Sequence, residues 1–336
     1  AVRFAKHGYR VLYVESLGLR RPAACASDMR RIARRLLRAL PRRRRLMPGV
    51  WGISPLVLPF SAPAVQALNR VLLTMLIRWH LRSLGMRSPL IWTYNPTIAD
   101  LCTSLPRCGI VYHCVDDLGG SPGIDAGAIE KGEAALAEVA DACFVTSRPL
   151  QAARSNVFRK TVYEPNVCDP DFFATARSGL DEPSELRGLP RPRALFIGAL
   201  SDYKVDFDLL RETAQLLSGV HFILAGPVGE GQPGTRRPPV LSNVHVIGAK
   251  PYGMLPHLMA HADVAILPVP RNRYSDSMFP MKFFEYLSAG LPVVGTPLPA
   301  LEEFSDLYFT ARTPQDFARE ISRVLAGERR DAKKID

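Results

Sequence analysis

Short apolar runs recur along the chain, and most end in a turn residue before helical spacing takes over. Asp263–Leu267 and Val293–Thr296 read as short parallel strands, separated by a polar loop and a helix-like stretch. That succession makes one β–α–β step. Further strand-like runs lie at Tyr9–Glu15, Val50–Pro59, Pro89–Tyr94, Gly109–Val115, Ala142–Thr146, Arg193–Ile197, Val220–Pro227 and Asn243–Gly248. Apolar spacing predicts a long helix over Ala64–Leu84 and an amphipathic one over Ile129–Ala140, which carries Glu130 and Glu133. Shorter helices are predicted at Leu255–His261 and Pro314–Ala326, and Ser147 suits a helix cap. Strands alternating with helices predict an α/β fold with parallel sheets.

The opening residues Ala1–Gly8 read as the end of a helix, with Gly8 as its stop, ahead of the first strand-like run. A nucleotide-type α/β domain begins one strand and one loop earlier. The expectation is therefore that the N-terminal domain lacks its first strand, and that Val11–Val14 has an open position beside it. Residues 174–190 are rich in Ser, Asp, Glu, Pro and Gly and read as linker. The expected organisation is an N-terminal domain over residues 1–168, a linker over 169–190 and a nucleotide-binding domain over 191–327.

Candidate chemistry gathers in Tyr274–Thr296. Pro280 suits a first helical turn, where its missing N–H costs nothing. Gly290 suits the position just past a helix end, and Pro292 blocks continuation. Phe283, Phe284 and Leu287 can face a sheet, while Lys282 and Glu285, three apart, share a face. Free N–H groups at the helix start add an anion-binding end. A sugar nucleotide needs this set: donors for its diphosphate and a carboxylate for its ribose hydroxyls. The same pair also suits an ordinary surface ion pair. In the first half, the run Gly109–Val115 delivers Asp116 and Asp117 at a strand's carboxyl end, and with His113 they are general-base candidates. The alternative is that one Asp caps a turn and the other is solvated.

The pattern Pro280-x-Lys282-x-x-Glu285-Tyr286-x-x-x-Gly290-x-Pro292-Val293-Val294 resembles the donor-site signature of family-4-type glycosyltransferases of the GT-B fold, the glycosyl transferases group 1. Glu164-Pro-Asn-Val-Cys-Asp-Pro-Asp-Phe172 resembles that family's interdomain crossing, and Ala142–Leu150 its acceptor half. The resemblance implies two Rossmann-like domains facing across a cleft, the first holding an acceptor and the second a nucleotide sugar. It implies that Glu285 holds the ribose. Gly198 and Lys204 match the loop that serves the donor phosphates, with Ala199 in place of the family's Arg. Gly248 opens the loop, up to Tyr252, that serves the base. Ser277 stands where the family has a second Glu, with Asp276 beside it, and Phe279 and Pro280 complete the donor set. Protein cations would stabilise the departing diphosphate, with no metal and no cofactor beyond the nucleotide-sugar donor. The implied activity is sugar transfer to an acceptor hydroxyl, carbohydrate or lipid-linked, in cell-surface polysaccharide or glycolipid synthesis. If the reaction inverts, Asp116 or Asp117 is the base; for retention the sequence offers no obvious nucleophile. Two rivals are a sugar-nucleotide 2-epimerase on the same scaffold and a degenerate, non-catalytic, membrane-associated binding module.

The length of 336 residues suits about two domains, and the net charge of +11 is unevenly spread. Residues 30–45 hold nine arginines and no acid, which leaves about +2 for the rest. Within that run Ile32, Ala33, Leu36, Leu37 and Leu40 form a stripe opposite the arginines. This suits an anionic membrane surface met by Arg30–Arg45, with a solvated basic helix as the alternative. The chain lacks the aromatic–basic interleaving of nucleic-acid binders, so no nucleic-acid partner is expected. Val71–Ile77 is too short to span a bilayer. Six cysteines without a CxxC pair read as reduced core residues of a cytoplasmic protein, and the arginine run adds the expectation of a peripheral place on the inner membrane face. Gly229–Gly234 satisfies G-x-G-x-x-G, but Pro233 and the Pro-rich continuation bar a helix there.

Overall fold

The computed structural model describes residues 1–15, 43–55, 63–229 and 235–330. Most of the arginine run, its apolar stripe, Cys25 and most of Gly229–Gly234 lie outside the described residues. The chain divides into two compact units. The first comprises residues 1–114, 123–144 and 153–162; the second comprises 115–122, 145–152 and 163–336.

The first unit opens with α1 (Val2–Lys6), β1 (Val11–Val14), β2 (Arg44–Met47) and β3 (Val50–Ile53). Gly8 takes a φ of +84° at the end of α1, a backbone state that glycine adopts without steric cost. β1 runs parallel to β3, while β2 pairs antiparallel with β3 through a turn at Gly49. The arginine run is thus partly a strand: Arg44 and Arg45 lie in β2, and Arg44 pairs with Glu15 at 2.7 Å. The long helix α2 (Pro63–Ser83) leads to β4 (Leu90–Thr93), α3 (Ala99–Ser104), β5 (Gly109–Cys114), α4 (Ala126–Ala137) and β6 (Ala142–Val145). α4 begins three residues before the predicted start because Asp125 caps it, accepting the Ala128 N–H at 3.1 Å. α5 (Arg148–Arg154) then precedes β7 (Thr161–Tyr163). Among the described residues β1 to β7 form two sheets, β1-β3-β2 and β4-β5-β6-β7. β1 and β4 are therefore each bonded on one side. Ile53, Leu73, Ile77, Leu81, Leu101 and Leu105 bury one shared core, against which Leu12 and Ile91 pack.

The second unit contains α6 (Pro170–Ala174), β8 (Arg193–Ile197), α7 (Phe207–Leu216), β9 (His221–Ala225), β10 (Val244–Val246), α8 (Leu255–Ala260), β11 (Val264–Leu267), α9 (Lys282–Ser288), β12 (Val293–Gly295), β13 (Phe309–Thr310) and α10 (Pro314–Leu325). Its sheet is wholly parallel, in the order β10-β9-β8-β11-β12-β13. Counted from its own first strand, the order is 3-2-1-4-5-6, the doubly wound arrangement. Side chains alternate between faces as strand geometry requires. Leu195, Ile197, Ile223, Ala265 and Val293 pack beneath α8 and α9. Ala194, Phe196, Phe222, Ile266 and Val294 pack beneath α7 and α10. Two covered faces explain why these strands read as apolar runs rather than alternating ones. Of the described cysteines, Cys102, Cys114 and Cys143 are buried, whereas Cys108 is exposed and departs from the core assignment.

Candidate functional site in the second unit

In a 3-2-1-4-5-6 sheet the strand order reverses between the first and fourth strands, here β8 and β11. Loops leaving the carboxyl ends of those two strands diverge and open a crevice, where such sheets take their ligands. The two loops here are 198–206 and 268–281, and they are tied together. Asn272 Nδ2 donates to the Tyr203 carbonyl at 2.9 Å, and the Asp206 N–H donates to the Pro268 carbonyl at 2.8 Å. The Tyr203 and Tyr274 rings meet edge-on at 5.1 Å. Gly198 closes the turn after β8, its N–H donating to the Ala225 carbonyl at 3.0 Å. A side chain at Gly226 would strike the Gly198 carbonyl, so the loops approach backbone to backbone there.

Lys204 projects from the first loop, with Nζ 5.3 Å from the Tyr203 ring centre and 5.7 Å from that of Tyr274. It also interacts electrostatically with Asp116. Burial raises the Asp116 pKa; Lys204 and a hydrogen bond with Tyr274 oppose that rise, and Asp117 adds to it. Asp117 is buried and accepts from Arg273 Nε at 2.8 Å. The segment 115–122 fits closely against the 271–278 loop, since a Cβ at Gly120 would lie 2.8 Å from the Tyr274 backbone nitrogen. Ser147 fixes the same loop from another side: its Oγ donates to the Ser277 carbonyl at 2.6 Å and accepts the Leu150 N–H at 3.3 Å, the predicted cap. Ser277 Oγ turns back to the Tyr274 carbonyl at 3.2 Å. His113 belongs to the first unit and stands among Tyr94, Trp92 and Phe144, at ring distances of 5.0, 5.6 and 6.5 Å. Its buried Nδ1 has no hydrogen-bond partner among the described residues, and burial lowers its pKa.

α9 carries the predicted Lys–Glu pair, with one correction. The helix begins at Lys282, so Pro280 and Met281 precede it. The Phe283 N–H bonds the Pro280 carbonyl at 3.0 Å, a three-residue turn that tightens the approach before regular helix starts. The stop is as expected: Gly290 has a φ of +81°, and the Leu291 and Gly290 N–H groups return to the Tyr286 and Leu287 carbonyls. Lys282 Nζ donates to Glu285 Oε2 at 2.6 Å. Glu285 is only 2% exposed, so this is not a solvated surface pair. Burial raises its pKa, and Lys282 holds the rise in check. Phe279 is buried against Phe284 and Phe304, and its carbonyl accepts from Asn166 Nδ2 at 3.2 Å. Tyr286 anchors the helix to the sheet, its buried hydroxyl oxygen accepting the Ile197 N–H at 2.7 Å. Gly248, with a φ of +71°, opens the loop after β10. That loop carries Tyr252, which stacks on Phe172 at 5.0 Å and feels the charge of Glu285.

Arg273 and Tyr274 were not singled out from sequence, although they join the Asp116–Asp117 segment to the β11 loop. A local signal existed in Asn272-x-x-Ser275, a turn-forming pattern. In the structure Ser275 Oγ accepts the Asn272 N–H at 3.0 Å, and Asn272 Oδ1 accepts the Ser275 N–H at 2.9 Å. The arrangement presents cations and a buried carboxylate around one sheet edge, chemistry suited to a phosphorylated, hydroxylated ligand.

Comparison with known proteins agrees with this architecture. Residues 191–327 match the family model described as Glycosyl transferases group 1. A curated relative, the putative teichuronic acid biosynthesis glycosyltransferase TuaH of Bacillus subtilis, is 33% identical over 135 residues, covering 39% of this chain and 34% of that protein. The match thus spans about a third of the relative's length. Among solved structures, the sucrose-phosphate synthase of Thermosynechococcus elongatus superposes with a TM-score of 0.66 at 16% identity, covering 95% of this chain and 90% of that one. Anabaena HepE, solved in complex with UDP, gives 0.61 at 17% identity, covering 94% and 90%. The fold is that of the GT-B glycosyltransferases.

Proposed function

We propose that this chain, whose residues 191–327 match the Glycosyl transferases group 1 model, transfers a sugar from a nucleotide-sugar donor to an acceptor hydroxyl. The observation that carries the reading is the buried Glu285 carboxylate, held by Lys282 at 2.6 Å in the unit whose sheet reverses order between β8 and β11. A buried carboxylate is costly unless it is put to use or fully paired. Here it accepts the ribose hydroxyls of the donor. Lys204 and Lys282 face the diphosphate and stabilise the charge that develops as the bond from the anomeric carbon to phosphate oxygen breaks. Gly198, Gly248, Ser277, Phe279 and Pro280 shape the rest of the donor site. If the acceptor oxygen attacks with inversion, its proton passes to Asp116, whose pKa burial raises toward that of a working base. Asp117 pairs with Arg273 and positions that segment.

The TuaH likeness supports a role in cell-surface polysaccharide synthesis, with a carbohydrate or lipid-linked acceptor. The basic run Arg30–Arg45 would hold the protein at an anionic inner membrane face. Isothermal calorimetry with nucleoside diphosphates and a nucleotide-release assay across nucleotide sugars test the reading. The expected result is nucleotide binding that depends on Glu285. A folded protein that binds no nucleoside diphosphate at millimolar concentration would overturn it.

A further inference from the structure

α2 has two apolar faces, and among the described residues one of them packs into a core. Leu73, Ile77 and Leu81 are buried in the first unit's core. On the opposite side Leu68, Val71, Leu72, Met75 and Trp79 are each about half exposed or more, with Met75 at 63% and Trp79 at 57%. Their spacing of three, four and seven keeps them on one stripe, about 16 Å long at 1.5 Å per residue. Isolated exposed apolar side chains are ordinary, but five on a single helix face mark an interaction surface. The charges that α2 itself carries have one sign, although Arg70 on another side of the helix pairs with Asp100. α2 contains no acidic residue, and Arg78 and Arg82 are exposed beside the stripe. Arg43 reaches the same end, donating to Ser83 Oγ at 2.5 Å.

We propose that this face of α2 lies in the headgroup layer of an anionic membrane, with Leu68, Leu72, Met75 and Trp79 entering the acyl boundary and Arg43, Arg78 and Arg82 meeting lipid phosphates. The inference rests on the membrane reading above and adds the element that inserts. Among the described residues no helix is long and apolar enough to cross a bilayer, so α2 lies along the surface rather than through it. A tryptophan suits that depth because its ring is apolar and its N–H stays hydrogen-bonded. A membrane is the occupant argued for because exposed arginines border the apolar stripe and α2 carries no acidic residue; a second copy of the chain is separated by the mass measurement below.

The test uses the full chain with vesicles of phosphatidylcholine, alone or mixed with phosphatidylglycerol. Sedimentation with the anionic vesicles is expected, together with a blue shift of tryptophan emission and quenching by brominated lipid that Trp79→Phe abolishes. The triple variant Leu72→Ser, Met75→Ser, Trp79→Ser is expected to weaken vesicle binding at least about tenfold while nucleotide binding by calorimetry is retained. The changed residues are solvent-exposed, and circular dichroism checks the fold. Conservative Met75→Leu should keep binding. If the triple variant binds vesicles like the parent while Arg42–Arg45→Ser loses binding, adhesion is purely electrostatic and the inserting face is wrong. A light-scattering mass of two chains that the triple variant halves, with vesicle binding unchanged, would assign the stripe to a second copy. Loss of nucleotide binding in the parent chain would strike the transferase reading without touching this one.

Discussion

The two units solve the same problem with different completeness. In the second, six parallel strands pair without interruption, and β8, β11 and β12 are buried along their whole lengths. In the first, the described strands fall into sheets of three and four, and β1 and β4 carry exposed apolar side chains at Tyr13 and Leu90. A strand covered on both faces and paired on both edges satisfies its backbone and removes its side chains from water together. A strand paired on one edge does half of each. Stability and a rigid ligand edge should therefore concentrate in the second unit.

The largest expected effect follows directly. Phe222, fully buried in β9, should cost about 3–5 kcal/mol when changed to Ala, because the cavity is closed in on every side. Tyr13→Ala in β1 should shift stability by only about 0.5 kcal/mol, as for other surface positions. Chemical denaturation followed by far-UV dichroism and by tryptophan emission measures both. Equal costs at the two sites would break the contrast.

Next in size is the effect at the donor site proposed for the complete sheet. Glu285→Ala should weaken nucleotide affinity by roughly 1.5–3 kcal/mol, the loss expected for a charged hydrogen-bond partner, read by calorimetry on the folded variant. Unchanged affinity would remove Glu285 from the site. The result also sharpens the contrast, since Glu133 of the first unit is likewise buried but already saturated. It accepts from the Tyr112 hydroxyl at 2.9 Å and pairs with Arg154 at 3.1 Å. Glu133 therefore reads as structural, whereas Glu285 has Lys282 as its described ion-pair partner.

Legibility from sequence follows the same division. Asp263–Leu267, Val293–Thr296 and the Gly290 stop were readable because buried parallel strands need unbroken apolar runs and the helix end needs a positive φ. β2 was not readable. Its arginines carry no strand signal, and it exists because β3 offers an edge that a turn at Gly49 brings within reach. At the site, the Lys282–Glu285 spacing was visible, but the burial that distinguishes it from a surface pair is set by the sheet and the aromatic cluster around Phe279. Nor could sequence join Asp117 to Arg273, which are 156 residues apart. Grouping residues 115–122 with the second unit is a consequence of such long-range contacts.

The pH dependence of the second unit should carry opposite signs for stability and for binding. Burial raises the Glu285 pKa above the value of about 4.3 for an exposed Glu. The folded state therefore holds this proton more tightly than the unfolded state. Its contribution to apo stability is present at low pH and is lost as pH rises through the folded pKa. If Glu285 holds the ribose as proposed, nucleotide binding uses the carboxylate and should weaken as pH falls through that same raised value. Glu285→Gln should flatten both profiles, measured by denaturation and calorimetry across weakly acidic pH. A binding profile in Glu285→Gln that still falls with acid would place the titration elsewhere.

The smallest prediction asks whether the contrast is one of packing alone. Asp206 caps α7 in the second unit, accepting the Asp208 and Leu209 N–H groups at 3.1 and 2.9 Å. Asp125 caps α4 in the first unit, accepting the Ala128 N–H at 3.1 Å. A cap satisfies donors that the helix itself cannot, and its value depends little on how well the rest of the domain is packed. Asp206→Ala and Asp125→Ala should each cost about 1 kcal/mol, even though Phe222→Ala and Tyr13→Ala differ several-fold. Denaturation midpoints at fixed slope measure the pair. If Asp125→Ala costs nothing while Asp206→Ala costs its full share, α4 is frayed in solution. The difference between the units would then reach down to their local helices instead of residing in how their sheets are paired.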